Sequence, residues 1–373
     1  MNRPVVFRLT NNLDIGGVQK RIATVLPLLS ENFEPHVAVY RHKGTLYDLL
    51  PQKNVPTHFC PIHGKLHIPS ILRFKRLLQR NKATILHTHS LGANIPGILA
   101  AALAGVPVRI AQVHRKNYHW YAKSAMQRRK QIAIESIVHK LFTDIILFVS
   151  QESCDYFQKT THISPQKLKI LHNGIPIPQN RPPKLEAKIQ NDLPLDKIVV
   201  GFVGRFSEGK GVQYFLNYAQ QILTENDGFY FVLVCDGPQR AMLEQTIQKK
   251  GLTNAIHFVG QTKKVDQWYA SFDLLFFTSD PDAEGMPGVA LEASSYGLPI
   301  LARESAPLQE IQKYYNKIAF FNENESPHKQ ALDALNLEEK VNLIAQEFSI
   351  ENMSIKTSTL YKKLLQKKIH DKA

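Results

Sequence analysis

Short apolar runs alternate with amphipathic stretches along most of the chain, and the alternation predicts the fold. Residues 4–9, 36–40, 84–89, 108–113 and 145–149 read as buried strands. Helical periodicity fills the gaps at 18–30, 68–79 and 92–104, and the second of these carries Arg73, Lys75, Arg76 and Arg80 on or near its outer face. The pattern resumes with strands at 197–203, 229–235, 254–261, 274–277 and 299–302. A helix is expected from Val212, and another of about three turns between Pro287 and Gly297. Near-continuous apolar strands separated by helices predict parallel, doubly wound sheets, whose ligands gather at the strand carboxyl ends.

The length of 373 residues suits two domains rather than one core. The first is expected over 1–178, a proline-rich linker over 179–196, and the second from 197 to 348. Charge divides along the same line. Residues 1–180 hold 24 basic and 8 acidic side chains, whereas the rest hold 22 and 24, so the halves carry +16 and −2 of the net +14. Such a half is expected to face something anionic, a membrane surface or nucleic acid, unless it is simply a basic solvated surface. Tyr118, Trp120 and Tyr121, followed by a helical stretch with Arg128, Arg129 and Lys130, favour an anionic membrane interface over nucleic acid; a solvated helix face is the competing reading. Cys60, Cys154 and Cys235 fit neither a disulfide framework nor a zinc pattern, which implies a reducing cytoplasm. The first apolar run is too short for a signal peptide, and the longest, 95–108, is broken by Pro96, Gly97, Gly105 and Pro107, so no transmembrane helix is expected.

Candidate chemistry lies at the strand-to-helix turns. Gly16 and Gly17 open the first helix and can bring backbone amides to a phosphate, although many such turns need glycine only for geometry. In the second domain, Arg205 and Lys210 flank a glycine-bearing turn that lacks the spacing of a P-loop, yet two cations beside a helix start favour a diphosphate. Asp236-Gly237-Pro238 ends the next strand. Glu284 sits in the loop after the 274–277 strand, and Glu292 lies about a turn into the following helix with its side chain leaning back, so both carboxylates can approach one cavity. Two acceptor-only groups suit a polyhydroxyl ligand such as a sugar and a ribose. The alternative is a dipole-complementing Glu292 and a solvated Glu284. His89 and His114 sit at strand ends; for His89 the plainer reading is a histidine satisfied by backbone.

Taken in order, Gly16-Gly17, the 204–211 turn, Asp236-Gly237-Pro238 and the Glu284 to Glu292 spacing resemble the retaining nucleotide-sugar enzymes of glycosyltransferase family 4. Asn173-Gly174 and the 348–353 segment with Tyr361 extend the resemblance over nearly the whole chain. It implies the GT-B fold: two Rossmann-like parallel-sheet domains facing a cleft, with a C-terminal helix, here 349–373, crossing back to the first. It implies that Arg205 and Lys210 bind the donor diphosphate and stabilise its departure, and that Glu292 takes the ribose. Glu284, with Gly285, Met286, Pro287, Gly288 and Val289, would orient the transferred sugar; Gly16, Gly17 and Val259 would complete the donor site. His114 matches the histidine that the family places near the anomeric centre, and His89 is a less certain second. The implied activity is metal-independent glycosyl transfer with retention, from a nucleotide-diphosphate sugar to a glycan or lipid-linked acceptor. A role in bacterial lipopolysaccharide or surface polysaccharide synthesis is expected, in the cytoplasm at the inner face of the plasma membrane. A GT-B nucleotide-sugar epimerase and a non-catalytic nucleotide-sugar binding module are the alternatives. Two departures stand out. Residues 279–283 lengthen the loop before Glu284 and carry Asp280 and Asp282, a pair like the metal motif of the GT-A fold but ahead of the wrong element; and Cys235 stands where glycine is common.

Overall fold

The computed structural model describes residues 3–116, 122 and 124–371. Within them the chain divides into two compact units, Met1–Gly174 with Phe348–Ala373, and Ile175–Glu347. The first unit is built on seven strands: β1 (Val5–Thr10), β2 (Glu34–Val39), β3 (Thr57–Phe59), β4 (Ile85–His89), β5 (Val108–Val113), β6 (Ile145–Phe148) and β7 (Leu168–Ile170). Every pairing is parallel, in the order β3-β2-β1-β4-β5-β6-β7. The second unit holds β8 (Ile198–Val203), β9 (Phe229–Val234), β10 (Ile256–Gly260), β11 (Leu274–Phe277), β12 (Ile300–Ala302) and β13 (Ile318–Phe320), ordered β10-β9-β8-β11-β12-β13 and again wholly parallel. In each sheet the order reverses beside the first strand, between β1 and β4 and between β8 and β11. A crevice opens at such a reversal, because successive crossover helices leave it on opposite faces.

The apolar runs explain the layering. Phe7 and Leu86 pack on one face of the first sheet with Phe74 and Ala100, while Val6, Ile85 and Ile110 pack on the other with Ile22 and Val25. That second face is finished by the last helix, Ile350–His370, whose Ile350, Met353, Tyr361 and Leu364 enter the same cluster. Ser349 caps this helix by accepting from the Asn352 amide at 3.2 Å. Gly174 passes so close to the helix start that a Cβ there would lie 2.9 Å from Ile350 Cα, which gives the Asn173-Gly174 motif a steric reason.

Two expectations need correction. The proline-rich stretch is not an open linker: it carries the helix Lys184–Gln190, and Lys184 and Lys188 both pair with Asp273, at 2.9 and 2.7 Å. That carboxylate also accepts from the Val199 amide at 2.9 Å, so the stretch is fastened to the second sheet. The helix after Glu284 is shorter than expected. It spans Gly288–Ser295 with Pro287 at the cap rather than inside, and it stops ahead of Gly297, whose φ of +75° turns the chain away.

Candidate functional site

In the second unit the loops after β8 and β11 meet at the reversal of strand order. Gly211 has φ +68°, and a Cβ there would come 1.8 Å from the carbonyl oxygen of Thr278, so only glycine lets the β8 turn lie against the end of β11. The amide of Asp280 donates to Gly209 O at 2.9 Å, and the amide of Phe206 to Asp236 O at 3.0 Å. Three strand ends are thereby stitched into one floor, which is what Asp236-Gly237-Pro238 contributes: a Cβ on Gly237 would meet Phe206 O at 2.3 Å.

On this floor Lys210 Nζ is ion-paired with Glu284 Oε1, each side chain about a quarter exposed. The pairing unites a residue expected at the diphosphate with one expected at the sugar. Arg205 is exposed and has no ion pair among the described residues. Glu292 is held differently: its Oε2 accepts from the Tyr269 hydroxyl at 2.8 Å. Burial, and then Glu292 itself, hold the Tyr269 hydroxyl well above its ordinary pKa, so it stays a donor. The sequence reading missed Tyr269, which belongs to no motif. Gly285, Met286 and Pro287 are buried, Gly288 and Val289 partly so, and no side chain caps that helix start. Val259 lies on the edge strand β10, lining a cavity of about 340 Å³ with Tyr230 and Trp268.

Both departures have physical meaning. Asp280 is ion-paired with Arg303, whose guanidinium also lies over the Tyr214 ring at 5.0 Å. Among the described residues no three His, Cys, Asp or Glu side chains are grouped as a metal would need. Cys235 has φ +110°, a conformation that glycine adopts freely and a side chain resists. It is held there by its amide, which donates to Gly260 O at 3.1 Å.

In the first unit a cavity of about 330 Å³ opens at the ends of β1, β4 and β5. Thr10, Asn11 and Gln19 line one side; Asn94, His114 and Glu135 line the other. Gly16 caps the helix Gly17–Leu28 just beside it, and a Cβ on Gly16 or Gly17 would meet only the movable ends of Gln19 and Arg21. Packing therefore does not demand these glycines. His89 is not satisfied by backbone, as the plainer reading had it: its Nδ1 bonds His114 Nε2 at 3.2 Å and its ring stacks on His87 at 4.4 Å. His87 in turn bonds the Tyr361 hydroxyl at 2.6 Å. A row of three imidazoles thus runs from the last helix to the cavity wall. Burial pushes His114 down to about 3, helped by Arg21, Arg115 and Arg8, and depresses His87 and His89 as well. At neutral pH all three are uncharged, so His114 can position a ligand hydroxyl but carries no standing charge. Asn117–Tyr121 lie outside the described residues; Arg129 and Lys130, on the helix Ala125–Phe142, are exposed.

Similarity to known proteins follows this anatomy. Residues 15–178 match the family described as Glycosyltransferase Family 4, and residues 197–336 match Glycosyl transferases group 1. The UDP-Gal:alpha-D-GlcNAc-diphosphoundecaprenol alpha-1,3-galactosyltransferase of Escherichia coli is 27% identical over 303 residues, covering 77% of this chain and 76% of that protein. EpsF of Bacillus subtilis is 24% identical over 277 residues, 69% of this chain and 71% of its own length. Among solved structures, Anabaena HepE in complex with UDP superposes with a TM-score of 0.79 at 17% identity, over 96% of this chain and all of that one. With both halves matched and the strand orders above, the chain belongs to the GT-B glycosyltransferases of the family 4 type.

Proposed function

We propose that the protein transfers a sugar, with retention, from a nucleoside-diphosphate sugar to a hydroxyl of a glycan or lipid-linked glycan acceptor in bacterial surface polysaccharide synthesis. The Lys210–Glu284 pair at the joined β8 and β11 loops carries this reading, because it sets a cation for a leaving diphosphate against a carboxylate for a sugar hydroxyl. Arg205 adds a second cation, and Glu292, oriented by Tyr269, accepts from the ribose. The acceptor hydroxyl attacks from the face the diphosphate leaves, and a diphosphate oxygen takes its proton. The two cations neutralise the charge that a metal would otherwise meet. Uridine is the base to try first, since HepE is described with UDP and the E. coli relative is named for UDP-Gal. Lipid-linked and capsular products, named for the E. coli relative and for CapH of Staphylococcus aureus, support the acceptor class and action at the cytoplasmic membrane face.

The test is a thermal-shift panel of UDP- and GDP-sugars, followed by NMR of the anomeric configuration of the product made from the stabilising donor. Transfer with retention in excess EDTA is expected. Inversion, or activity lost to EDTA and restored by Mn²⁺, would refute the mechanism, and no stabilisation by any nucleotide sugar would refute the reading itself.

A further inference from the structure

Three buried histidines hold more polar atoms than the fold satisfies. His87 and His89 lie on β4 and His114 follows β5, and among the described residues His87 Nε2, His89 Nε2 and His114 Nδ1 have no hydrogen-bond partner. One contact links two of them: His89 Nδ1 lies 3.2 Å from His114 Nε2. Burial and the neighbouring guanidinium groups leave both rings uncharged, and a neutral imidazole has one N–H and one bare nitrogen. The pair therefore has two states. Either His89 donates and both rings carry hydrogen on Nδ1, or His114 donates and both carry it on Nε2.

The surroundings of His89 choose between them. Its Nε2 is enclosed, so the first state leaves a bare nitrogen there and the second an N–H without an acceptor; interiors rarely strand an N–H. Arg8 weighs in the same direction. It is 1% exposed, its Nε has no partner among the described residues, and its positive charge acts on all three rings. Such a charge favours bare nitrogen toward the interior and N–H toward the open side. The open side is the 330 Å³ cavity, where His114 stands in the wall and Nδ1 is the ring nitrogen it has left for a ligand. Arg115 and Glu135, of opposite sign, share that wall, so its charges do not reverse the preference.

We propose that His89 is a positioning residue: by donating from Nδ1 to His114 Nε2 it holds His114 in its Nδ1–H form, so that His114 meets substrate as a hydrogen-bond donor and not as a base. His89 is itself buried and is not part of the cavity lining, so it acts through His114 alone. The inference rests on the glycosyltransferase reading for its ligand, an oxygen of the transferred sugar, and it deepens that reading. With no lone pair offered by His114, the proton leaving the acceptor hydroxyl passes to the diphosphate oxygen, as the proposed reaction requires.

The experiment uses the full chain labelled with ¹⁵N-histidine and long-range ¹H–¹⁵N correlation NMR at neutral pH, the His114 signals being assigned by their loss in His114→Gln. Wild type should show His114 protonated on Nδ1. So should His89→Asn, whose side-chain amide can donate from the place of the ring Nδ1. His89→Phe keeps a ring against His87 but has no donor, and there His114 should revert to the Nε2–H form that histidine favours in water. Turnover should fall about 10- to 100-fold in His89→Phe, the order for one lost hydrogen bond at the reacting centre, and should be largely restored in His89→Asn, with UDP affinity the same in all three. A bare His114 Nδ1 in wild type overturns the proposal, and because that spectrum needs no variant, misfolding of one cannot rescue it. An unchanged His114 spectrum in His89→Phe, or equal losses of turnover in the Phe and Asn variants, also overturns it and leaves His89 as packing. Absence of UDP binding by the wild type would refute the donor reading separately, while the His114 spectrum still decides where the hydrogen lies.

Discussion

Replacing Glu284 by Gln removes one charge from the Lys210 pair while keeping its volume, and the outcome discriminates among roles for the loop. At an effective dielectric of about 20, two unit charges some 4 Å apart attract by about 4 kcal/mol before desolvation. With each side chain about a quarter exposed, the net value falls to about 1–2 kcal/mol, between a surface ion pair and a fully enclosed one. In the unliganded protein that energy holds Lys210 against Glu284, and an arriving diphosphate must share or displace it. Glu284→Gln therefore should leave UDP affinity unchanged or raise it, up to about tenfold, whereas Lys210→Ala should weaken it by about 10- to 100-fold. Turnover should fall about 10²–10³-fold in both, since each acts on the reacting centre. Calorimetry with UDP on the two variants and on Glu292→Gln reads the difference. If Glu284→Gln weakened UDP as much as Glu292→Gln does, the pair would not face the diphosphate, and the assignment of both residues would fall.

Acid should destabilise the first unit through its histidines. His87 and His89 are buried and depressed below their unfolded value of 6.5, so the unfolded chain binds more protons below pH 6.5, and stability is kept above that pH and lost as it falls. The slope should reach about 1.4 kcal/mol per pH unit for each histidine near pH 5; denaturant titrations at pH 5 and 7 showing no such loss would contradict their neutral burial. Cys235→Gly should raise the stability of the second unit by about 0.5–2 kcal/mol by relieving the φ of +110°. Cys235→Ala should not, and equal shifts in the two would exclude backbone strain. Sedimentation with anionic vesicles should show salt-sensitive binding that Arg128→Glu, Arg129→Glu and Lys130→Glu together abolish; binding that survives them would assign the basic half another purpose.

Most strands that the pattern predicts are buried on both faces, the edge strand β10 being the exception, and β5 and β11 match to the residue. What the pattern does not reveal are β3, β7 and β13, each three residues long and at a sheet edge; β12 is as short, but it lies inside its sheet and its wholly buried run is legible. The site divides in the same way. Gly211 and the Glu284 to Glu292 spacing are local signals, legible because backbone geometry imposes them. Tyr269 bonds a partner 23 residues away and Glu135 lines a cavity assembled from separate segments, and neither sits in a motif. Glu135 in particular reads as an ordinary charge on a basic helix, since only the fold turns that face inward.

The last helix has a consequence for how the protein is made. Residues 350–370 supply Ile350, Met353, Tyr361 and Leu364 to the core of the first unit, and Tyr361 also bonds the buried His87. During synthesis the first 174 residues emerge with that face of the sheet uncovered and those hydrogen bonds unmade, while the second unit, continuous from 175 to 347, has everything it needs as soon as it clears the ribosome. The half synthesised later can thus finish folding earlier. The amino-terminal half must wait, apolar surface exposed, until residues 350–370 have also left the ribosome.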